Sequence, residues 1–271
     1  MGGPFTWIDV AILGAIQGIT EFLPVSSSGH LVLSEHLLGM HPPGIALELT
    51  LHVGTLLAVV LYYRRDLWQA AYGGTRFLAG QRTREDRLAW DLLLLLVVGT
   101  LPAVICALLF GDRVEAAFKD PRLVAGCLVV TGLLLLSTLL VRRGQRRPGP
   151  LDALVIGLFQ AVSLFPGISR SGSTMSAGLF RRLKPEEAAR FSFLLSIPAI
   201  VGAVVFKAKE VAGGLAGANA RLYFLGFVVS FVLGWASIAV LLRVMRRGRF
   251  GLFGFYCVVV GVIGLVLLGR H

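Results

Sequence analysis

The sequence predicts an all-α, polytopic membrane protein, and two observations carry that prediction. Of 271 residues, 56% are hydrophobic and only 15% are charged, whereas soluble domains hold roughly 45–50% apolar and about 25% charged residues. The apolar stretches 91–110, 123–141 and 222–242 are each close to the roughly 20 residues that cross a bilayer as a helix. A porin-type barrel would read as short alternating strands, not unbroken Leu/Val/Ala runs. The same composition excludes disorder and a secreted disulfide scaffold. Cys106, Cys127 and Cys257 all fall inside apolar runs without metal-ligand spacing and read as packing residues.

Charge sets the expected topology. The net charge is +11, from 26 Lys and Arg against 15 Asp and Glu. The basic residues sit in short clusters between apolar runs, with no soluble domain to form a groove, so a nucleic-acid partner is excluded. Six arginines fall in 64–87, four in 142–147 and four in 243–249; all three clusters are assigned to the cytoplasm. The opposing stretch 111–121 balances Asp112, Glu115 and Asp120 against Arg113 and Lys119, and 207–220 is glycine-rich and nearly neutral. Residues 1–6 hold no Lys or Arg, so no cleaved signal peptide is expected.

In chain order this gives an interrupted segment at 8–38, then spans near 47–63, 91–110 and 122–141. A second interrupted segment follows at 152–180, then spans near 191–206, 222–242 and 250–268. The second interrupted segment lies between the 142–147 cluster and Arg181, Arg182, Lys184 and Arg190. Both flanks therefore belong to the cytoplasm, and a segment that starts and ends on one side cannot cross once. A helix over 152–165 reaches about 21 Å against roughly 30 Å of hydrocarbon, and Pro166-Gly167 then breaks it. The expectation is a re-entrant helical hairpin. Irregular backbone at that depth must be buried in protein or line a wet cavity.

Residues 9–29 match 152–172 at a constant offset of 143. Asp9/Asp152, Gly14/Gly157, Gln17/Gln160, Phe22/Phe165, Ser26/Ser169, Ser28/Ser171 and Gly29/Gly172 are identical pairs. Each copy is followed by three spans, an odd number, so the second copy should be inverted. The chain is thus expected to be a single membrane domain, 1–271, of inverted-topology repeats 1–147 and 148–271. Six full spans and two re-entrant hairpins would meet at the binding site. Two pairs differ in a telling way: Glu21 stands opposite Leu164, and Ser27 opposite Arg170.

Ionisable groups at membrane depth are costly and functional by default, which singles out Glu21, His30 and Arg170. Arg170 offers a planar fork of donors suited to phosphate or carboxylate oxygens. Ser169, Ser171, Ser173 and Thr174 add hydroxyls, and Gly167 and Gly172 let backbone N–H groups approach an anion. Ser26, Ser27 and Ser28 form an opposed set. Together they describe an anion cradle; the plain alternative is a Glu21–Arg170 salt bridge that only locks the hairpins. Gln17 and Glu21, at i and i+4, share a helix face. A carboxylate beside an anion cradle makes sense as a general base, a metal ligand, or both. His30 is suited to proton exchange near neutral pH, and the serines between admit a nucleophile or an activated water. Glu48 and His52 begin the first full span and could line the site from the side.

At these residues the sequence resembles the undecaprenyl-diphosphatase family of the bacitracin-resistance type. The family pattern Glu/Gln-x-x-x-Glu is met by Gln17 and Glu21. The pattern Pro-Gly-x-Ser-Arg-Ser-x-x-Thr is met in full by Pro166, Gly167, Ser169, Arg170, Ser171 and Thr174, and Ser27 and His30 match as well. The resemblance extends along the whole chain. It implies removal of the terminal phosphate of undecaprenyl diphosphate, returning the monophosphate carrier of bacterial cell-wall assembly and conferring bacitracin resistance. It also implies a divalent cation, Mg2+ or Ca2+, with Glu21 as a ligand, and Glu21, Ser27, His30 and Arg170 as catalytic residues. Gln17, Ser26, Ser28, Gly167, Ser169, Ser171, Ser173 and Thr174 would bind substrate. The implied location is the bacterial cytoplasmic membrane, with the site opening to its outer face. Where many members carry Glu, this chain has Gln17, which cannot act as a base. The expected partners are the polyprenyl diphosphate lipid and the membrane, and self-association into a homo-oligomer is compatible with the sequence. Inverted repeats and broken helices are also transporter traits, so a polyprenyl-phosphate flippase using the same cradle is the main rival, and an anion channel a third reading.

Overall fold

The computed structural model describes residues 6–40, 45–142, 144–208 and 220–269. Residues 1–5, Arg143 of the second basic cluster and residues 209–219 of the glycine-rich loop lie outside the described residues. Among the described residues the chain forms eleven α-helices and no strands. They are α1 (Trp7–Phe22), α2 (Ser27–Leu38), α3 (Ile45–Tyr62), α4 (Arg64–Leu78), α5 (Arg84–Phe118) and α6 (Pro121–Ser137), the last extended by a 3-10 turn over Thr138–Leu140. There follow α7 (Pro150–Val162), α8 (Arg170–Phe180), α9 (Pro185–Phe206), α10 (Ala220–Arg247) and, after a 3-10 turn at Phe250–Leu252, α11 (Phe253–Leu268). Six segments, from α3, α5, α6, α9, α10 and α11, are long and apolar enough to span a bilayer. Each answers to one expected span.

Two elements differ from expectation. Helix α5 has 35 residues rather than the 20 of its apolar run. Thr83 and Asp86 close a capping box at its start, with Thr83 Oγ–H donating to Asp86 at 2.6 Å. At about 52 Å its polar ends outrun the hydrocarbon. The arginine-rich stretch 64–87 holds the amphipathic helix α4 in place of a plain loop. Its Ala70, Gly73 and Gly74 are buried against Ala89 and Leu93 of α5, while Trp68 and Tyr72 stack on its exposed face.

Close packing uses small residues, as expected where lipid removes the hydrophobic drive between helices. Helix α1 lies on α10, and α7 on α5. At the first seam a Cβ on Gly14 would lie 3.1 Å from Gly226 O; at the second, a Cβ on Gly157 would lie 2.5 Å from Gly99 O. Gly14 and Gly157 are repeat partners, so each hairpin uses the same glycine to dock on the long helix of the opposite half. The lipid-facing side of α5 carries exposed Leu101, Val104, Ile105, Leu108 and Leu109.

Helix α6 acts as a ruler for depth. Its start, Pro121 and Arg122, shares a surface depression with His36 near the end of α2 and with Leu268. Its end leads through residues 141–146 to Arg146, whose guanidinium holds Asp152 at the start of α7 at 2.6 and 2.8 Å. Between them, Thr131 Oγ–H donates to Gly167 O at 2.9 Å and accepts from Ser169 N–H at 3.1 Å. The bases of the two hairpins therefore lie at opposite ends of α6. The α7–α8 turn is pinned to its middle, about 15 Å from the start.

Candidate active site

The two broken segments fold by the same local rule. In each, the first serine of Ser-x-Ser-Gly caps the helix that follows. Ser26 Oγ accepts from Gly29 N–H at 3.2 Å, and Ser169 Oγ accepts from Gly172 N–H at 3.0 Å. The second serine lies against the first, 3.3 Å away in both copies. The turns reach these caps differently. Ser26 itself adopts a left-handed backbone (φ 69°), whereas in the second copy Gly167 takes the positive φ (89°), where glycine is free of Cβ strain. A Cβ on Gly167 would also run into Val124 O at 2.2 Å.

The hairpin tips touch. Ser171 Oγ–H donates to Leu23 O at 3.0 Å, and a Cβ on Gly29 would come within 3.0 Å of Gly167 Cα. At this contact Arg170 Nη2 pairs directly with Glu21 Oε1. The other carboxylate oxygen, Oε2, accepts from Ser27 Oγ–H at 2.7 Å and from Gln17 Nε2 at 3.0 Å. His52 Nε2 stands 3.7 Å from the same oxygen. Glu21 is 6% exposed. A buried carboxylate ringed by a guanidinium, a hydroxyl, an amide and an imidazole is compensated for its loss of water. The 2.7 Å contact also puts the Ser27 proton on a carboxylate, the arrangement of a nucleophile beside its base.

Glu21, Ser27, Arg170 and Gln17 thus come together. The remaining hydroxyls are largely committed to the fold. Ser26 and Ser169 are caps, and Ser28 lies against Ser26. Thr174 Oγ–H donates to Arg170 O at 2.7 Å and lies 2.6 Å from Ser192 Oγ. Ser173 is buried within α8. The donors at the contact point are those of Arg170 and Ser27, together with the N-terminal end of α8. His30 turns elsewhere: its Nδ1 lies 2.8 Å from Ser26 O and its Nε2 2.9 Å from Tyr256 OH. His52 is held by Nδ1–H donation to Glu48 O at 2.8 Å; Glu48 contributes its carbonyl. Thr131, His52 and Tyr256 complete the surroundings. Of these, His52 carried a sequence signal, its place near the start of a span; Thr131 and Tyr256 carried none.

The family described as "Bacitracin resistance protein BacA" matches residues 10–263. The chain belongs to that family. "Undecaprenyl-diphosphatase" of Desulfosudis oleivorans (strain DSM 6200 / JCM 39069 / Hxd3) is 43% identical over 275 residues, 95% of this chain and 97% of the relative. "Undecaprenyl-diphosphatase 1" of Shouchella clausii (strain KSM-K16) is 39% identical over 262 residues, 94% of each. "Undecaprenyl-diphosphatase 3" of Bacillus anthracis is 37% identical over 263 residues, 95% of this chain and 96% of the relative. Within this BacA-family chain both halves of the Glu21–Arg170 contact fall inside the matched region.

The residues fit an oxygen-liganded cation. Gln17 is fully buried, and among the described residues its Oε1 has no hydrogen-bond partner, because its Nε2 is turned to Glu21. That leaves a hard oxygen donor beside a carboxylate, the ligand type Mg2+ and Ca2+ prefer. Among the described residues no group of three or more His, Cys, Asp or Glu gathers to hold a metal unaided.

Proposed function

We infer that this chain is an undecaprenyl-diphosphatase, a phosphoric anhydride hydrolase that releases inorganic phosphate from undecaprenyl diphosphate and returns the monophosphate carrier. Its family and the names of its relatives support the activity. The observation that carries the chemistry is the pair of contacts on one carboxylate, Ser27 Oγ on Oε2 and Arg170 on Oε1. Glu21 takes the Ser27 proton as the oxygen attacks the terminal phosphorus. Arg170 holds the phosphoryl oxygens and stabilises their charge as the P–O bond to the carrier phosphate breaks. Glu21 gives that proton to the departing carrier phosphate, then takes one from the water that attacks the phosphoserine and returns it to the freed Ser27 oxygen. His30 exchanges protons at the edge of the site, and His52 keeps Glu21 oriented.

A divalent cation would be held by Glu21 and Gln17 Oε1, with substrate phosphate oxygens filling the rest of its shell. When bound it neutralises charge on the diphosphate. The two hairpins enter as inverted repeats from opposite faces and meet at mid-depth. This reading is supported by the shared caps, the paired glycine seams and the placement of their bases at opposite ends of α6. The arginine clusters support the assignment of the loops that carry them to the cytoplasm, and the family resemblance implies a cytoplasmic-membrane protein whose site opens outward.

The deciding assay is phosphate release from undecaprenyl diphosphate by the purified chain in detergent, with and without chelator. Release that stops on chelation and returns with Mg2+ or Ca2+ is expected. No release under either condition would overturn the phosphatase reading in favour of the flippase. Release indifferent to chelator would remove the cation.

A further inference from the structure

Tyr256 lies 226 residues from His30 along the chain, yet it is the partner of that ring. Its hydroxyl stands 2.9 Å from His30 Nε2, and the two rings stack with centroids 5.6 Å apart and planes 4° from parallel. The other nitrogen settles the tautomer. His30 Nδ1 is 2.8 Å from Ser26 O, and a carbonyl oxygen only accepts, so Nδ1 carries the proton. In the neutral ring Nε2 then holds the lone pair, and Tyr256 O–H donates into it.

The depth of this pair makes it unusual. Membrane tyrosines collect at the interfaces, where the hydroxyl reaches water. Tyr256 is 47% exposed on the outer surface of the bundle, but at the wrong level for that. On its own helix, Gly254 packs on Gly132, beyond the midpoint of α6, and Gly261 on Ala125, in its second turn, which puts Tyr256 between them, level with the middle of α6. The next residue, Cys257, donates to Pro24 O in the first hairpin turn at 3.6 Å. A lipid-facing side chain at this depth needs a hydroxyl only if something inside uses it; phenylalanine would pack as well.

We propose that Tyr256 is a positioning residue for the phosphatase reaction: with Ser26 O holding Nδ1–H, its hydroxyl and stacked ring fix the plane of His30 and keep Nε2 an unprotonated acceptor. This rests on the reading of His30 as a participant, and the test separates the two. Tyr256→Phe keeps the stacking and removes only the hydroxyl. It should lower kcat about tenfold, the loss typical of a missing orienting partner, while KM stays within about twofold. Ring 15N resonances of His30, assigned by difference from His30→Gln, should show a protonated Nδ1 and an unprotonated Nε2 in the parent chain, with the Nε2 resonance displaced in the variant by loss of the hydrogen bond it accepts. The double variant Tyr256→Phe/His30→Gln should be no slower than His30→Gln alone, because one residue acts through the other. Unchanged His30 resonances with parental kcat, or losses that multiply in the double variant, would overturn the proposal while leaving His30 in place. Parental turnover in His30→Gln would instead remove His30, and Tyr256 with it.

Discussion

The two hairpins differ most where their sequences diverge from a shared plan. Both cap α2 and α8 with the same serine and draw in the same glycine behind it, so the backbone machinery is common. The charges are not. The first copy has Glu21 where the second has Leu164, and the second has Arg170 where the first has Ser27. One copy therefore brings the carboxylate and hydroxyl, the other the cation, and the pair Glu21–Arg170 exists only because the copies meet. On the proposed reading the two copies share a frame, and divergence at two positions supplies the chemistry.

The largest effect should come from removing the cation. Arg170→Ala is expected to lower kcat by about 10³-fold or more, as for an arginine that stabilises phosphoryl charge, with an unchanged size-exclusion profile in detergent. Near-parental phosphate release would leave the Glu21–Arg170 contact as a structural lock. Its repeat counterpart comes next. Ser27→Ala should cost about 10²-fold or more, and no phosphoserine should be trapped on rapid quench; full turnover would exclude attack by that hydroxyl. At the turns, Gly167→Ala should destabilise the fold by about 1–3 kcal/mol, read by thermal unfolding in detergent. An unaltered midpoint would show that the second turn tolerates a side chain.

The smallest contrast lies at the hairpin bases. Asp152 is 2% exposed and is bound by Arg146, Arg181 and Gly149 N–H. Among the described residues, its counterpart Asp9 closes a local box with Thr6. Asp152→Asn should cost about 2 kcal/mol and Asp9→Asn less than about 1 kcal/mol, measured in the same unfolding assay. Equal losses would mean that both bases are anchored alike.

Most of the frame was legible because lipid allows so few solutions. Six apolar runs of spanning length could only be helices, and each is one in the structure. Glu21 and Arg170 were legible as costly charges at depth. The full extent of α5 was not, since its ends are polar and look like loop. Helix α4 was hidden for a related reason: its arginines read as a charged loop between spans, and the residues that seat it on α5, Gly73 and Gly74, are small. The serines read as free donors because composition cannot tell a ligand-facing hydroxyl from a helix cap. Tyr256 was invisible, as nothing local links the final helix to a histidine near the start.

Thr131, halfway along α6, fixes how far a head group must travel. On the proposed reading, a diphosphate arriving from the surface at the start of α6 sinks about 15 Å before its terminal phosphorus meets Ser27 and Arg170, carrying its anchor below its resting level. Cleavage then leaves two fragments with opposite preferences at the same spot. The inorganic ion can escape only by a polar route back to water, and the shortened carrier relaxes upward once that ion has gone. The order of departure is thereby imposed by depth, and a rate set by phosphate exit rather than bond breaking is its natural signature.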